Sequence, residues 1–506
     1  MTTIERNPAS AESDHYDIIV VGGGIYGAML LLEAARRGQR ALLLEKQDFG
    51  SGTSYNSLRI IHGGLRYLQS LDLARFFESV AERRWFLQTF PDLVKPLPCL
   101  MPLYKRGLKR PAVLRTALLV NDLLSSHRNT GVRIAQTIPT GRILDAGETR
   151  QLFAGVDPDE LSGAALWYDA HIPDSQRVIM ETLRWACHLG AQALNYIEAH
   201  DLLTTGTSVA GVRACDRETG DSFEFRAETV INATGPGSRA LSACWDRDIP
   251  ALCRPSLAWN VLFDCPAPST HALALTPKRS SGQTYFLHPW KGRLLAGTGH
   301  APWTGSPGIP APGKELLGQF VGDMNMVLQD SALAMDNIVR VYAGILPATE
   351  DGGTELTKRP VIHAHGNSGG PQGLYSVSGV KFTTSRMVAE HTLKYARSNG
   401  LSARIGRPES DQRPPGSNTM TSIDYAWMPE AGDERWKSDL VKLIVQESVL
   451  HLDDLVLRRT GIGDNPARVR RLSAEIAALF DWDEHRREQE IRELLDGVAT
   501  GSFIHG

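Results

Sequence analysis

The run Gly22-Gly-Gly24-Ile25-Tyr26-Gly27 has the G-x-G-x-x-G spacing of a backbone turn that lies against a pyrophosphate, and Glu45 follows about twenty residues on. Each position has a task. Gly22 permits the tight turn, Gly24 lets backbone approach a phosphate with no Cβ in the way, and Gly27 allows close packing of helix on strand. A helix starting at Ile25 presents free N–H groups and a positive dipole end to the phosphates. A carboxylate at Glu45, with Lys46 beside it, accepts both ribose hydroxyls, so the ligand is an adenine dinucleotide with a free 2′-hydroxyl.

The elements that position this turn are legible around it. Tyr16 to Gly22 is a short β-branched run, Ile25 to Arg37 has helical length, and Arg40 to Glu45 is a second apolar run, which makes a βαβ unit with parallel strands. Apolar residues recur at helical spacing from Ser70 to Gln88, and Pro91 ends the pattern. From about 194 to 286, β-type runs alternate with polar turns, which marks a sheet-rich region. Ala301 to Gly313 reads as a loop, Ser402 to Asn418 as a linker, and Tyr425 to Leu495 as helical.

Composition narrows the class. With 506 residues, 42% hydrophobic and 22% charged, the chain holds several packed domains, which excludes a disordered or fibrous protein. A formal charge of −3 gives no global attraction to nucleic acid. Six cysteines without paired spacing indicate neither a zinc site nor a disulfide framework, so no metal is expected. The polar start lacks a secretory h-region, and no apolar stretch reaches the roughly 20 residues of a membrane-spanning helix. A cytoplasmic protein is expected.

Two further stretches carry a resemblance. Asn232-Ala233-Thr234-Gly235-Pro236 is similar to the segment by which two-dinucleotide-fold flavoproteins return to their cofactor, which favours FAD over NAD. The run Thr53-Ser54-Tyr-Asn-Ser57-Leu-Arg-Ile-Ile-His62-Gly63-Gly64-Leu65-Arg66-Tyr67, with Asp48-Phe-Gly-Ser-Gly52 before it, resembles the FAD-dependent glycerol-3-phosphate dehydrogenases of the D-amino-acid-oxidase-like superfamily. The likeness continues through Glu82-Arg83, His288-Pro-Trp290, Gly297-Thr298, Tyr342-Ala-Gly344, Gly379-Val380-Lys381-Phe382-Thr383-Thr384 and Asp454-Leu-Val-Leu-Arg458-Arg459-Thr460.

The resemblance implies an α/β fold: a two-dinucleotide-binding-type, Rossmann-like FAD domain with an inserted antiparallel-sheet substrate domain and a helical C-terminal domain. Its expected layout is a disordered N-terminus over 1–15 and an oxidoreductase region over 16–400, followed by a linker over 401–420 and helices over 421–506. Within 16–400, the FAD-binding parts are about 16–100, 175–245 and 340–400, and the substrate parts about 101–174 and 246–339. By the same likeness, Thr53, Ser54, Ser57 and the His62–Leu65 run face the flavin, and Gly379 to Thr383 cover its pyrimidine side. Arg66 and Lys381 become the cations nearest the substrate, while Tyr26 and Tyr67 are read from their types as orienting its oxygen or packing beside the flavin.

Departures from the family pattern fall where the substrate should lie. Gly344-Ile-Leu346 replaces a Gly-Val-Arg that holds the substrate phosphate, Leu257-Ala-Trp259-Asn260 replaces Lys-Gly-Ser-His, and Gly297-Thr-Gly-His300 replaces Gly-Thr-Thr-Asp. Trp259 is expected to add bulk to the site, and Lys358 and Arg359 are the cations available to stand in for the missing guanidinium. Oxidation of a CH–OH or CH–NH carbon needs a group to take the heteroatom's proton, and His62, His288 and His300 are the candidates. The expected partners are a small alcohol or amine and an electron acceptor, quinone or O2. The basic segment Lys105 to Arg115 is the candidate for peripheral membrane contact, and a homodimer stays open. An amine or amino-acid oxidase and a flavin-binding protein with weakened catalysis are the rival readings.

Overall fold

The computed structural model describes residues 3–104, 110–277, 283–303, 305, 310–328, 332–399 and 435–500. The linker expected over 401–420, and residues 105–109 of the basic segment, lie outside the described residues.

One sheet carries the glycine turn. Its path runs β16 (Val361–Ala364), β17 (Leu374–Ser378), β10 (Ser222–Asn232), β1 (His15–Val21), β2 (Ala41–Leu44), β7 (Gln192–Leu194), and an arm of β8 (Ile197–Thr205) and β9 (Ser208–Asp216) extends from β10. The β1–β2 pair is parallel, as the βαβ reading requires, and β1 also pairs in parallel with β10. Alternation along β1 divides the core. Ile18 and Val20 pack toward α2 (Ile25–Ala35), α7 (Ser175–His188) and α10 (Ser385–Ser398), while Ile19 and Val21 pack toward the β8–β9 arm.

The second sheet orders β15 (Ile338–Pro347), β11 (Pro255–Phe263), β14 (Arg293–Pro302), β13 (Tyr285–Trp290), β12 (Ala272–Leu275), β4 (Lys95–Tyr104), β6 (Leu161–His171) and β3 (Ile60–Ile61), with β5 (Arg142–Leu144) beside β6. It is antiparallel except where β12 meets β4. One face is buried under α9 (Lys314–Val327) and α6 (Ala146–Leu152) through Trp259, Val261, Phe320 and Met324. The remaining helices are α1 (Pro8–Glu12), α3 (Leu65–Gln69), α4 (Leu73–Thr89), α5 (Pro111–Leu124) and α8 (Ser238–Trp245), then α11 (Arg435–Gln446), α12 (Pro466–Ala477) and α13 (Glu484–Thr500) of the C-terminal domain.

Three expectations need correction. The N-terminus is not disordered through residue 15: Ile4 is buried, its N–H donates to the Gln446 carbonyl at 2.8 Å, and Asn7 caps α1. Burial of one isoleucine against the C-terminal domain outweighs the polar composition around it. β4 begins at Lys95 and β15 spans Ile338–Pro347, so residues 95–100 and 340–347 belong to the second sheet, as does β3. The expected boundaries followed motif positions, whereas the strands follow pairing.

The tightest constraint is at the turn itself. A Cβ on Gly27 would stand 1.8 Å from the Gly22 carbonyl oxygen. Gly27→Ala is expected to lower the urea midpoint by a destabilisation of about 1–3 kcal/mol or more and to cost bound flavin. An unchanged midpoint in a yellow protein would contradict the packing described.

Candidate functional site

Four distant segments meet at the glycine turn. Gly22, at φ 109°, lies under the Ala233–Thr234 backbone, where a Cβ would come within 2.7 Å of the Ala233 carbonyl oxygen. Asn232 fixes that return: its Oδ1 accepts from the Thr234 N–H and hydroxyl at 3.3 and 2.8 Å, and its Nδ2 donates to the Ser238 carbonyl at 2.8 Å. Gly24 caps α2, and the Ile25 N–H donates to Ser54 Oγ at 3.0 Å. Glu45 accepts from the N–H groups of Gly23 and Gln47 at 2.5 and 2.9 Å. Burial pushes its carboxyl up, and those two hydrogen bonds oppose the shift.

The turn at Gly379–Thr383 is tied to the same helix. The Tyr26 hydroxyl donates to the Lys381 carbonyl at 3.1 Å, and a Cβ on Gly379 would lie 2.3 Å from that hydroxyl. Burial raises Tyr26 to about 12, so it stays a neutral donor. Thr53 donates to the Ile345 carbonyl at 3.2 Å, which places it beside the second sheet, and Ser57 Oγ accepts the Arg59 N–H at 3.4 Å. Val380 is half-buried and Thr383 buried at the same turn. Two expected contacts differ. Lys46 is exposed with Glu198 at 3.9 Å, and Phe382 packs on Phe86 in the core. The side-chain-free turn, the helix N-terminus and the carboxylate on the Gly23 side fit an FAD, which Gly22–Gly27, Glu45, Ser54, Ala233–Gly235 and Gly379–Lys381 would hold.

The candidate substrate wall is one face of β11, β14 and β15. Directly paired residues share a face, so Ala258, His300 and Gly344 stand together, with Asn260 and Tyr342 on one side and Ser256 and Leu346 on the other. Asn260 Oδ1 accepts from Thr298 Oγ1 at 3.0 Å and its Nδ2 donates to the Asn56 carbonyl at 3.3 Å. His300 is half-buried, and its Nδ1 has no hydrogen-bond partner among the described residues. Burial, with the positive charge of Arg66 added, lowers its pKa from 6.5.

Arg66 and Lys381, 315 residues apart by their numbers, meet at one ring. Arg66 Cζ is 5.6 Å and Lys381 Nζ 4.4 Å from the centre of Tyr67, and Arg75, paired with Asp72, is 4.6 Å from it. Neither Arg66 nor Lys381 has a carboxylate partner among the described residues.

Other candidates do not meet there. Trp259 is on the opposite face, 3% exposed against Phe320, because its register position alternates with Ala258 and Asn260, so it adds no bulk to the site. Lys358 and Arg359 are exposed and lie beside Glu355 and Glu78, so they do not replace the missing guanidinium. His288 is fully buried, 5.1 Å from the His171 ring, and burial with the charge of Arg59 nearby pushes its pKa far down. It is a core histidine and not a proton acceptor for substrate.

His62 is half-exposed, with Nδ1 3.3 Å from Asp169 Oδ2 and its ring against Phe286. Sequence reasoning missed Asp169, which also accepts the Gly63 N–H at 2.7 Å and faces Arg83 at 3.3 Å. The signal was available: Asp169 is the single acid in the apolar run Ala164 to Ala170. Burial alone would raise its carboxyl, but the His62 hydrogen bond, the charges of His62 and Arg83 and the Gly63 N–H hold it below 3.8. Asp169→Asn is expected to cost about 3–5 kcal/mol at pH 7, because Arg83 is left buried and unpaired. A depressed pKa stabilises above the unfolded value, so the gap between wild type and variant should close as pH falls below 3.8 in denaturation curves. A gap unchanged at low pH would contradict the assignment.

Comparison with known proteins agrees with this geometry. The model of the FAD dependent oxidoreductase family, DAO, matches residues 17–394. The chain is 31% identical over 495 residues to glycerol-3-phosphate dehydrogenase 1 of Mycobacterium tuberculosis, covering 90% of this chain and 93% of that protein. It is 30% identical over 416 residues to the mitochondrial glycerol-3-phosphate dehydrogenase of Homo sapiens, covering 78% of this chain and 55% of that one, so it spans about half the length of the mitochondrial relatives. The glycerol-3-phosphate dehydrogenase from Bacillus halodurans complexed with FAD has the same fold at TM-score 0.72 and 20% identity, over 99% of this chain and 98% of that one. L-proline dehydrogenase from P. horikoshii shares the fold at TM-score 0.54 and 16% identity, over 76% and 95%. The chain belongs to the FAD dependent oxidoreductase family as a glycerol-3-phosphate-dehydrogenase-like member.

Proposed function

We propose that the protein is a dehydrogenase that removes a hydride from the CH–OH carbon of a small anionic substrate. The observation that carries this reading is the pair of cations, Arg66 and Lys381, that meet at the Tyr67 ring with no carboxylate partner among the described residues. Such cations stay available to an anion, and a guanidinium can take a carboxylate or phosphate in a fork. FAD supplies the two-electron acceptor when bound. Tyr67 and Arg66 orient the substrate, and Asn260 and Thr298 line the same wall. His300, neutral at pH 7 with an Nδ1 that no described residue hydrogen-bonds, takes the hydroxyl proton.

Leu346 is partly buried on this face, where the resembling family carries the phosphate arginine. One guanidinium suits a single carboxylate or a loosely held phosphate better than a tightly bound phosphate ester, which also keeps a CH–NH substrate with a carboxylate as a second reading. With glycerol 3-phosphate as probe, Leu346→Arg should raise kcat/KM by about tenfold or more. The kcat/KM profile should fall as pH drops through an inflection below 6.5, and His300→Gln should lose that inflection with about 100-fold of kcat. A profile unchanged in His300→Gln would remove it as the base.

The acceptor side belongs to α5. No helix among the described residues is long and apolar enough to cross a membrane. On α5, Leu114 and Leu118 face inward, while Val113, Leu119, Val120 and Leu123 form an exposed stripe on the other side, near the basic Arg110 and Arg115. An exposed apolar stripe flanked by cations suits an anionic lipid surface, where a quinone would be reached. The full chain should float with anionic liposomes at low salt, and a Leu119→Glu, Leu123→Glu double variant should not. Absence of binding by the wild-type chain would leave O2 or a soluble acceptor as the oxidant.

A further inference from the structure

The most extensive buried charge network lies outside the substrate face, where the C-terminal domain meets the loop that follows β2. Asp48, 1% exposed, takes Arg458 Nε at 2.6 Å, Arg459 Nη1 and Nη2 at 2.7 Å each, and Asn195 Nδ2 at 3.1 Å. The two arginines come from a π-helical turn, Asp454–Arg459, more than 400 residues along the chain. They are held in turn by Asp453 and Asp454 against Arg458, and by the Glu447 carbonyl against Arg459. Tyr196 donates to Asp454 Oδ1 at 2.6 Å, and Ser448 donates to Asn195 Oδ1 at 2.6 Å.

Asp48 is in the loop that holds the glycine turn. Glu45 and Phe49 both close on Gly23, where a Cβ would come within 2.8 Å of Glu45 Cβ and 3.0 Å of the Phe49 ring. The Gly50 N–H donates to the Gly23 carbonyl at 3.0 Å, and the Gly23 N–H donates to Glu45. The C-terminal arginines thus grip Asp48, one end of a four-residue span whose other end, Glu45, presents the carboxylate at the glycine turn. A bidentate guanidinium sets direction as well as charge, so the grip fixes where that span can stand.

We propose that the helical C-terminal domain is a clamp on the cofactor: Arg458 and Arg459 are positioning residues that act through Asp48, so that docking of the domain and binding of FAD strengthen each other. The coupling is reciprocal by linkage. It rests on FAD binding at the glycine turn and is independent of the substrate reading, so it stands or falls apart from it. Lys291 with Asp464 at 2.6 Å provides the control, because it fastens the same domain to the second sheet and touches nothing in residues 45–50.

The test uses full-length protein with and without FAD. Hydrogen exchange of the wild type should show FAD slowing the amides of 454–460. Asp48→Asn should abolish that protection and raise the FAD dissociation constant about tenfold, read from the flavin fluorescence regained on release. Lys291→Met should lower the melting temperature but keep FAD affinity within about twofold of wild type. Exchange at 454–460 that ignores FAD in the wild type overturns the proposal, even if Asp48→Asn fails to fold. So does an Asp48→Asn protein with wild-type FAD affinity, or equal loss of affinity in Lys291→Met.

Discussion

Much of the molecule is arranged around the approach of helix α2 to the Gly22 carbonyl, so close that residue 27 has no room for a side chain. Once that helix is seated, its first N–H groups converge on the turn, and neighbours must leave the same space open. The chain meets this with backbone and small groups: Ala233 over Gly22, Ser54 at the Ile25 N–H, and Gly379 under the Tyr26 hydroxyl. These contacts join residues hundreds of positions apart, and the parallel β2–β1–β10–β17 order brings their strand ends to one edge.

The second sheet separates stability from specificity by its period of two. Residues that alternate inward along β11, Leu257, Trp259, Val261 and Phe263, fill a core under α9. Their neighbours, Ala258 and Asn260, face the site together with His300, Gly344 and Leu346 on the paired strands. Substitutions at the second set change what the wall offers to a substrate without opening the core. Leu346 and His300 are changes of that kind, whereas Trp259, one position out of phase, is a core residue.

Much of this was legible beforehand. The glycine spacing, the strands around it and the acid at Glu45 are local, and local pattern carries the βαβ unit without help from tertiary contacts. Arg66, Tyr67 and Lys381 came from motif likeness, and the structure brings all three together. What failed depended on depth or on long-range pairing. His288 and Lys46 have plausible neighbours in sequence, yet one is sealed between strands and the other points to solvent. Asp169 and Asp48 gain meaning only from partners far along the chain, and the docking of Ile4 on Gln446 follows from where the C-terminal domain lands.

The central claim is that Arg66 and Lys381 read a negative charge on the substrate. The most direct measurement is an anaerobic titration of the yellow protein, following oxidised-flavin absorbance, with matched pairs of compounds that carry or lack an anionic group beside the same CH–OH. The account predicts that anionic members bleach the flavin, that uncharged members do so far more slowly at equal concentration, and that Arg66→Met erases the difference. Equal bleaching by charged and uncharged members would contradict it.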